Sequence, residues 1–137
     1  MRRVEDLLDT RDVVATQVRY ATALDTRDWA LLRTCFTADA VAEYDGKPPC
    51  QGYPAIEDLC RRALAPLSRT QHLLGNHAVA LAGDEASAQC YLQAQHVRPD
   101  GSTFVIAGCY RDRLRRTPEG WRLSRRRLET WWTGGSR

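Results

Sequence analysis

The chain has 137 residues, 43% of them hydrophobic and 27% charged, with a formal net charge of +3. That is the length of one domain with enough apolar material for a real core, and the charge is too small to specify a nucleic-acid partner. No run of residues approaches a membrane span, and the opening Met1-Arg2-Arg3-Val4-Glu5-Asp6 lacks the apolar stretch of a secretion signal, so the expected location is the cytoplasm.

Thr10 reads as the N-cap of a first helix. Val14, Val18, Ala21 and Asp25 recur at helical spacing, which extends an apolar stripe into a carboxylate; Tyr20 lies on its flank with Val13 and Leu24. Asp28 is placed to cap a short second helix carrying Trp29, Leu32 and Phe36. Residues 40–44 form a short strand ended by the Asp45-Gly46 turn, and residues 47–52, with consecutive prolines, are loop. A third helix covers residues 53–64, with Ile56, Leu59, Cys60 and Ala63 on its buried side and Pro66 as its stop.

From Thr70 onward the period changes to two. Strands are predicted over residues 72–81, 86–97, 103–116 and 121–132, joined by turns at Gly83-Asp84, Pro99-Asp100-Gly101 and Thr117-Pro118-Glu119-Gly120. Residues 134–137 are read as a flexible tail after a single domain spanning residues 1–133. Helices followed by a meander of long strands give an α+β fold: a strongly curved, antiparallel or mixed sheet wrapped as an open cone around three N-terminal helices. A cone leaves a pocket between sheet and helices.

Five cysteines, far apart and without a C-x-x-C pair, exclude a disulfide framework and a structural zinc site. Cys90 and Cys109 fall in strands as small hydrophobes. The arginines crowd between Arg111 and Arg127 and alternate along strands, the pattern of a solvated outer face or a subunit contact.

The polar residues that alternation turns toward the helices are the candidates for chemistry. His72, Leu74 and Asn76 share one face of their strand, Cys90, Leu92, Ala94 and His96 share another, and Tyr110, Asp112 and Leu114 point inward on the next. On the last strand the Trp121 and Leu123 face brings Arg125 inward unless a bulge intervenes, which leaves Arg125 or Arg127 as the cation of the pocket. Tyr20, Asp25 and Tyr44 approach from the other side. An imidazole has its ordinary pKa near neutrality, and a carboxylate fixes its tautomer and supports its charged form. Tyrosine hydroxyls donate to a carbonyl oxygen that gathers charge as an α-proton leaves. Such a set suits proton abstraction beside a carbonyl. No metal-ligand motif, phosphate loop, nucleophile elbow or dinucleotide fingerprint occurs.

Tyr20-Ala21-Thr22-Ala23-Leu24-Asp25-Thr26-Arg27-Asp28-Trp29, Glu43-Tyr44, Arg69-Thr70-Gln71-His72, His96 and Gly120-Trp121-Arg122-Leu123 together resemble the SnoaL-like branch of the nuclear transport factor 2 superfamily, of the scytalone dehydratase type. The spacing of Tyr20, Asp25 and His72 is also similar to that of bile-acid dehydratases, and the Asp25/His72 pair to that of hexachlorocyclohexane dehydrochlorinase. The resemblance implies a cofactor-free lyase, a homo-oligomer with a trimer favoured over a dimer, and a small-molecule substrate, polycyclic or polyketide-like. It implies Asp25 orienting and charging His72, His72 moving the proton, and Tyr20, Tyr44 and His96 binding or polarising the substrate; with Tyr20 counted in the catalytic set, alternation alone adds Asn76, Tyr110 and Arg125 as substrate-binding residues. Leu24, Gly108 and Tyr110 depart from the scytalone dehydratase pattern. A cyclase or isomerase using the same acid–base pair, or a non-catalytic ligand-binding or dimerisation module, are the alternatives.

Overall fold

The computed structural model describes residues 4–135. Helix α1 (Val4–Thr26) and the short α2 (Trp29–Arg33) lead into strand β1 (Phe36–Tyr44); β2 (Cys50–Gln51) precedes helix α3 (Tyr53–Leu64). Four long strands follow: β3 (Arg69–Ala82), β4 (Glu85–Val97), β5 (Thr103–Thr117) and β6 (Gly120–Gly135). They form one sheet of order β2-β1-β6-β5-β4-β3. All its neighbours are antiparallel except β1 and β6, which run parallel, so the sheet is mixed. The sheet is curved and unclosed, and the helices fill its concave side, as the helix-then-meander pattern requires.

Several boundaries differ from the sequence reading. α1 begins at Val4 rather than after Thr10. Glu5 and Asp6 complement the helix N-terminus. Asp9 ties the early turns to the sheet, accepting both Arg116 guanidinium N–H bonds at 2.8 and 2.9 Å and the Trp121 indole N–H at 3.1 Å. Phe36 opens β1 rather than closing α2, and β2 forms inside the expected loop by pairing with Val41 and Ala42. Gly134 and Gly135 continue β6 opposite Val105 and Phe104 instead of starting a tail; Ser136 and Arg137 lie outside the described residues.

The face that α1 buries is the one carried by Val13, Thr16, Gln17, Tyr20, Ala21 and Leu24, whereas Val14 is half-buried and Val18 is exposed. The expected stripe was its neighbour. Two polar residues on the true face are satisfied by the sheet: Thr16 donates to the Trp121 carbonyl at 2.8 Å, and the Gln17 amide donates to Asp112 at 3.0 Å. A buried polar group with a partner does not break a core.

The end of α1 positions everything that follows. Arg27 adopts a left-handed conformation (φ 56°), its N–H bonds to Leu24 O, and the Asp28 N–H reaches Ala23 O at 2.9 Å. This paired closure satisfies the last carbonyls of the helix. It turns the chain sharply, and Asp28 then caps α2 by accepting the Leu31 N–H at 3.0 Å. No helix among the described residues is long and apolar enough to cross a membrane. All five cysteines are buried thiols.

Candidate active site

Asp25, on the last turn of α1, faces the edge strand β3. Its Oδ1 lies 2.7 Å from His72 Nδ1, and its Oδ2 accepts the His72 backbone N–H at 2.8 Å. β3 has a strand neighbour on one side only, so the carboxylate supplies an edge N–H with the acceptor that a further strand would have given. Thr70 Oγ1 donates to Asp25 Oδ1 at 3.0 Å and accepts Arg27 Nη1 at 2.8 Å. Sequence reasoning passed over Thr70 and Arg27, although both flank the dyad in its own segments.

Burial opposes the charge of Asp25, but bonds from the His72 ring, the His72 N–H and Thr70 outweigh it and hold the carboxyl below its ordinary value of 3.8. With a carboxylate against Nδ1, the neutral imidazole carries its proton there and keeps the Nε2 lone pair for substrate. The His72 side chain is only 6% exposed.

His72 lines a cavity of about 160 Å³ between α1, α3 and the sheet, with Tyr20, Tyr44, Leu92, His96 and Tyr110 among its walls. Tyr20 and Tyr44 hydroxyls meet at 2.9 Å. Burial raises all three phenols above their ordinary value of 10, so they remain O–H donors. Burial also pushes the nearby Cys60 up to about 11, which keeps it a thiol. The His96 ring stacks on Phe104, with centroids 4.3 Å apart, and its Nδ1 donates to the Phe104 carbonyl at 3.3 Å. The His72 and His96 rings stand 6.2 Å apart, inclined at 65° in an edge-on arrangement.

Five of the eight expected site residues thus line one hollow, His72, Tyr20, Tyr44, His96 and Tyr110, and Asp25 joins them through its bond to His72. Asn76 and Arg125 do not, and bulges explain both. In β3, Gly75 pairs with Tyr91 and Ala78 with Gln89, so two residues oppose Cys90. Asn76 takes up the extra step at φ 51° and is exposed, and the alternation flips. His77 turns inward instead and meets Gln17 Oε1 at 2.8 Å. In β6, Arg125 pairs with Arg113 and Leu123 with Leu114, leaving Ser124 extra. Arg125 therefore points outward to an ion pair with Glu43, and with Arg127 lines a separate groove on the outer sheet face.

The same bulge sends Arg126 inward, a residue that the sequence reading missed. It is fully buried, bonded to Asp112 at 2.8 and 2.7 Å, with its guanidinium carbon 3.7 Å from the Tyr110 ring centre and 4.3 Å from that of Tyr20. Burial opposes its charge, but Asp112 more than offsets that and raises its pKa. The cation thus lies against two phenols of the cavity wall and favours electron density gathering on them. The signal that could have found it is Asp112, an inward carboxylate without a partner in the sequence reading.

The SnoaL-like domain matches residues 5–127 of the chain. An uncharacterised protein of Mycobacterium tuberculosis is 30% identical over 129 residues, which cover 92% of this chain and 88% of the relative. The terrestric acid biosynthesis cluster protein E of Penicillium crustosum is 33% identical over 108 residues, 74% of this chain and 68% of that one. Among solved structures from Novosphingobium aromaticivorans, one provisionally named aromatic ring hydroxylase superimposes with a TM-score of 0.88 at 30% identity, covering 95% and 94% of the two chains. Another, provisionally named scytalone dehydratase, gives 0.89 at 20% identity, covering 96% and 90%. A hexachlorocyclohexane dehydrochlorinase (LinA) gives 0.83 at 17%, covering 98% and 91%; these last two likenesses are of fold.

Proposed function

Because the chain belongs to the SnoaL-like domain family, we propose that it is a cofactor-independent lyase, a dehydratase acting through the Asp25–His72 pair on a ring-bearing, polyketide-like small molecule. The observation that carries this reading is the 2.7 Å contact between a carboxylate and an imidazole that lines a mostly apolar hollow. A hollow of about 160 Å³ is on the scale of a cavity that takes one benzene-sized ring. A larger substrate seats one ring inside and extends through the mouth.

In the proposed reaction His72 Nε2 takes a proton from the carbon next to a carbonyl. Electron density moves onto the carbonyl oxygen, where the Tyr20–Tyr44 hydroxyl pair donates to it. The enolate then expels the β-hydroxyl, which leaves as water with the proton that His72 returns. Asp25 holds the imidazolium that exists between the two transfers, and His96 holds the departing hydroxyl. A bimolecular base in water lacks this alignment, which supplies much of the acceleration. Lyases among the likenesses of this fold, LinA and the provisionally named scytalone dehydratase, support elimination over other acid–base chemistry. The biosynthesis-cluster relative supports a place in the making of a small molecule.

The test is a panel of β-hydroxy ketones carrying one aryl ring, followed by absorbance of the conjugated enone. Enone formed by the wild type and lost in His72→Ala supports the assignment; cyclised or isomerised products without loss of water would replace elimination with its sibling chemistry. Assembly into a homo-oligomer, with a trimer favoured, belongs to the same proposal. Exposed Leu73, Tyr91 and Trp131 support it, the last two with rings 4.9 Å apart, since such patches mark contacts. Sedimentation at micromolar concentration giving only a monomer would remove it.

A further inference from the structure

The hollow does not end at His96. A second groove, of about 370 Å³, shares Lys47, Ala63, Leu64, His96 and Ile106 with it and continues outward past Leu67, Phe104 and Arg98. Inner hollow and outer groove therefore adjoin along these shared residues, mostly apolar in their walls, with Lys47 and Arg98 lining the outer part.

Two cations stand in this outer part, the mouth of the hollow. The Arg98 guanidinium lies over the Phe104 ring at 4.7 Å, and Phe104 in turn stacks on His96, so the charge sits at the end of a three-layer stack leading from the hollow. Arg98 is half-buried, and Nη1 reaches the Ser102 hydroxyl at 3.3 Å. Lys47 follows the Asp45-Gly46 turn and is anchored by its N–H to Tyr44 O at 3.1 Å. Neither cation has an ion-pair partner among the described residues. The nearby carboxylates are hydrogen-bonded, Asp45 from within the lining of the inner hollow itself. Asp45 accepts the Thr130 N–H, and Asp100 feels the Arg98 charge but commits Oδ1 to the Ser102 N–H and hydroxyl at 2.9 and 2.6 Å.

We propose that the substrate carries a carboxylate on an apolar arm, and that Lys47 and Arg98 hold this carboxylate at the mouth while the ring occupies the inner hollow. The proposal rests on the inner hollow being the reaction chamber. A guanidinium held flat by stacking presents its N–H fork to a carboxylate in the plane, and an ammonium opposite adds a point charge. The apolar arm lies along Leu64, Leu67, Ile106 and the Phe104 edge. This arrangement selects against neutral analogues of the same shape, because a neutral group leaves both cations unpaired. It also fixes the direction in which the ring enters.

The experiment compares phenylbutanoate with its amide, a neutral probe of nearly equal shape, by titration calorimetry on the full chain at low and at physiological salt. The acid is expected to bind about tenfold more tightly than the amide, with the preference shrinking as salt rises. In the double variant Lys47→Met, Arg98→Met, which keeps the apolar stems, the acid falls to the level of the amide while amide binding stays unchanged. Lys47→Glu reverses the preference. Equal binding of acid and amide by the wild type, or a preference that survives in the double variant, overturns the proposal while leaving the chamber intact. Failure of both probes to bind overturns it together with the chamber on which it rests.

Discussion

Asp25 holds His72 at two points, the ring Nδ1 at 2.7 Å and the backbone N–H at 2.8 Å. One carboxylate thereby fixes both the register of the edge strand and the orientation of the base it carries. The helix end and the sheet edge are joined by the same group that the proposed reaction uses, so the dyad is expected to contribute to stability as well as to turnover.

That double role gives a pH signature. A carboxyl whose folded pKa lies below its unfolded one stabilises the fold at every pH above the unfolded value, and the contribution is lost as pH falls through the folded value. Asp25 is of this kind, lowered from 3.8. Wild type is expected to exceed Asp25→Asn in stability by on the order of 1–2 kcal/mol at neutral pH, with the gap closing below about pH 4. Thermal melts of both proteins from pH 7 to pH 3 check this; a gap independent of pH would assign the loss to something other than the ionised carboxylate.

Thr70 stands between Arg27 and Asp25, accepting from one and donating to the other. Thr70→Val keeps the shape and removes both bonds, leaving the carboxylate free to rotate. Turnover is expected to fall roughly tenfold to a hundredfold through misalignment, with restoration by Thr70→Ser. Steady-state kinetics on the three proteins decide it, and an unaffected Thr70→Val would remove Thr70 from the positioning chain.

Arg126 and Asp112 make a buried pair at 0% exposure of both side chains. Removing one partner strands a buried charge, so Arg126→Leu is expected to lose about 3–5 kcal/mol, much of it recovered in Arg126→Leu, Asp112→Leu. Urea titrations measure both. A double variant no more stable than the single one would mean that the lost contacts with the Tyr20 and Tyr110 rings, or the buried Gln17 amide left without Asp112, carry the cost.

Gly108 sits where β6 bulges against β5, and a Cβ added there would stand 2.0 Å from the Glu129 carbonyl oxygen. The obstacle is backbone, which yields only by moving the strand. Gly108→Ala is expected to cost about 1–3 kcal/mol or more, readable as a lowered melting temperature.

The long strands were legible in the sequence because period-2 alternation marks them, whereas the meeting of Asp25 with His72 was legible through the family resemblance, since spacing alone leaves a helix-end carboxylate free to turn to water. What was hidden follows from single inserted residues. Asn76 and Ser124 each add one step to a strand, and each exchanges the inward and outward faces beyond it. That is why His77 and Arg126 point inward where Asn76 and Arg125 were expected. The buried face of α1 was hidden for a different reason. Gln17 looks like a surface residue until Asp112 and His77, 95 and 60 residues away, come into contact with it.

The hydroxyls of Tyr20 and Tyr44 share one hydrogen bond at 2.9 Å. Tyr20→Phe or Tyr44→Phe alone is expected to reduce kcat by roughly a hundredfold, and the double variant by less than the product of the two, since the pair acts as a unit. Additive losses would mean that the two phenols act at separate points on the substrate.

In the proposed reaction His72 removes a proton from carbon next to a carbonyl, and this step carries all the others. It is tested most directly by incubating an aryl ketone lacking a leaving group in deuterated water and following deuterium incorporation at the α-carbon by NMR. Enzyme-dependent exchange is expected, abolished in His72→Ala and strongly reduced in Asp25→Asn, with both variants folded. Exchange that persists at the wild-type rate in His72→Ala would contradict it.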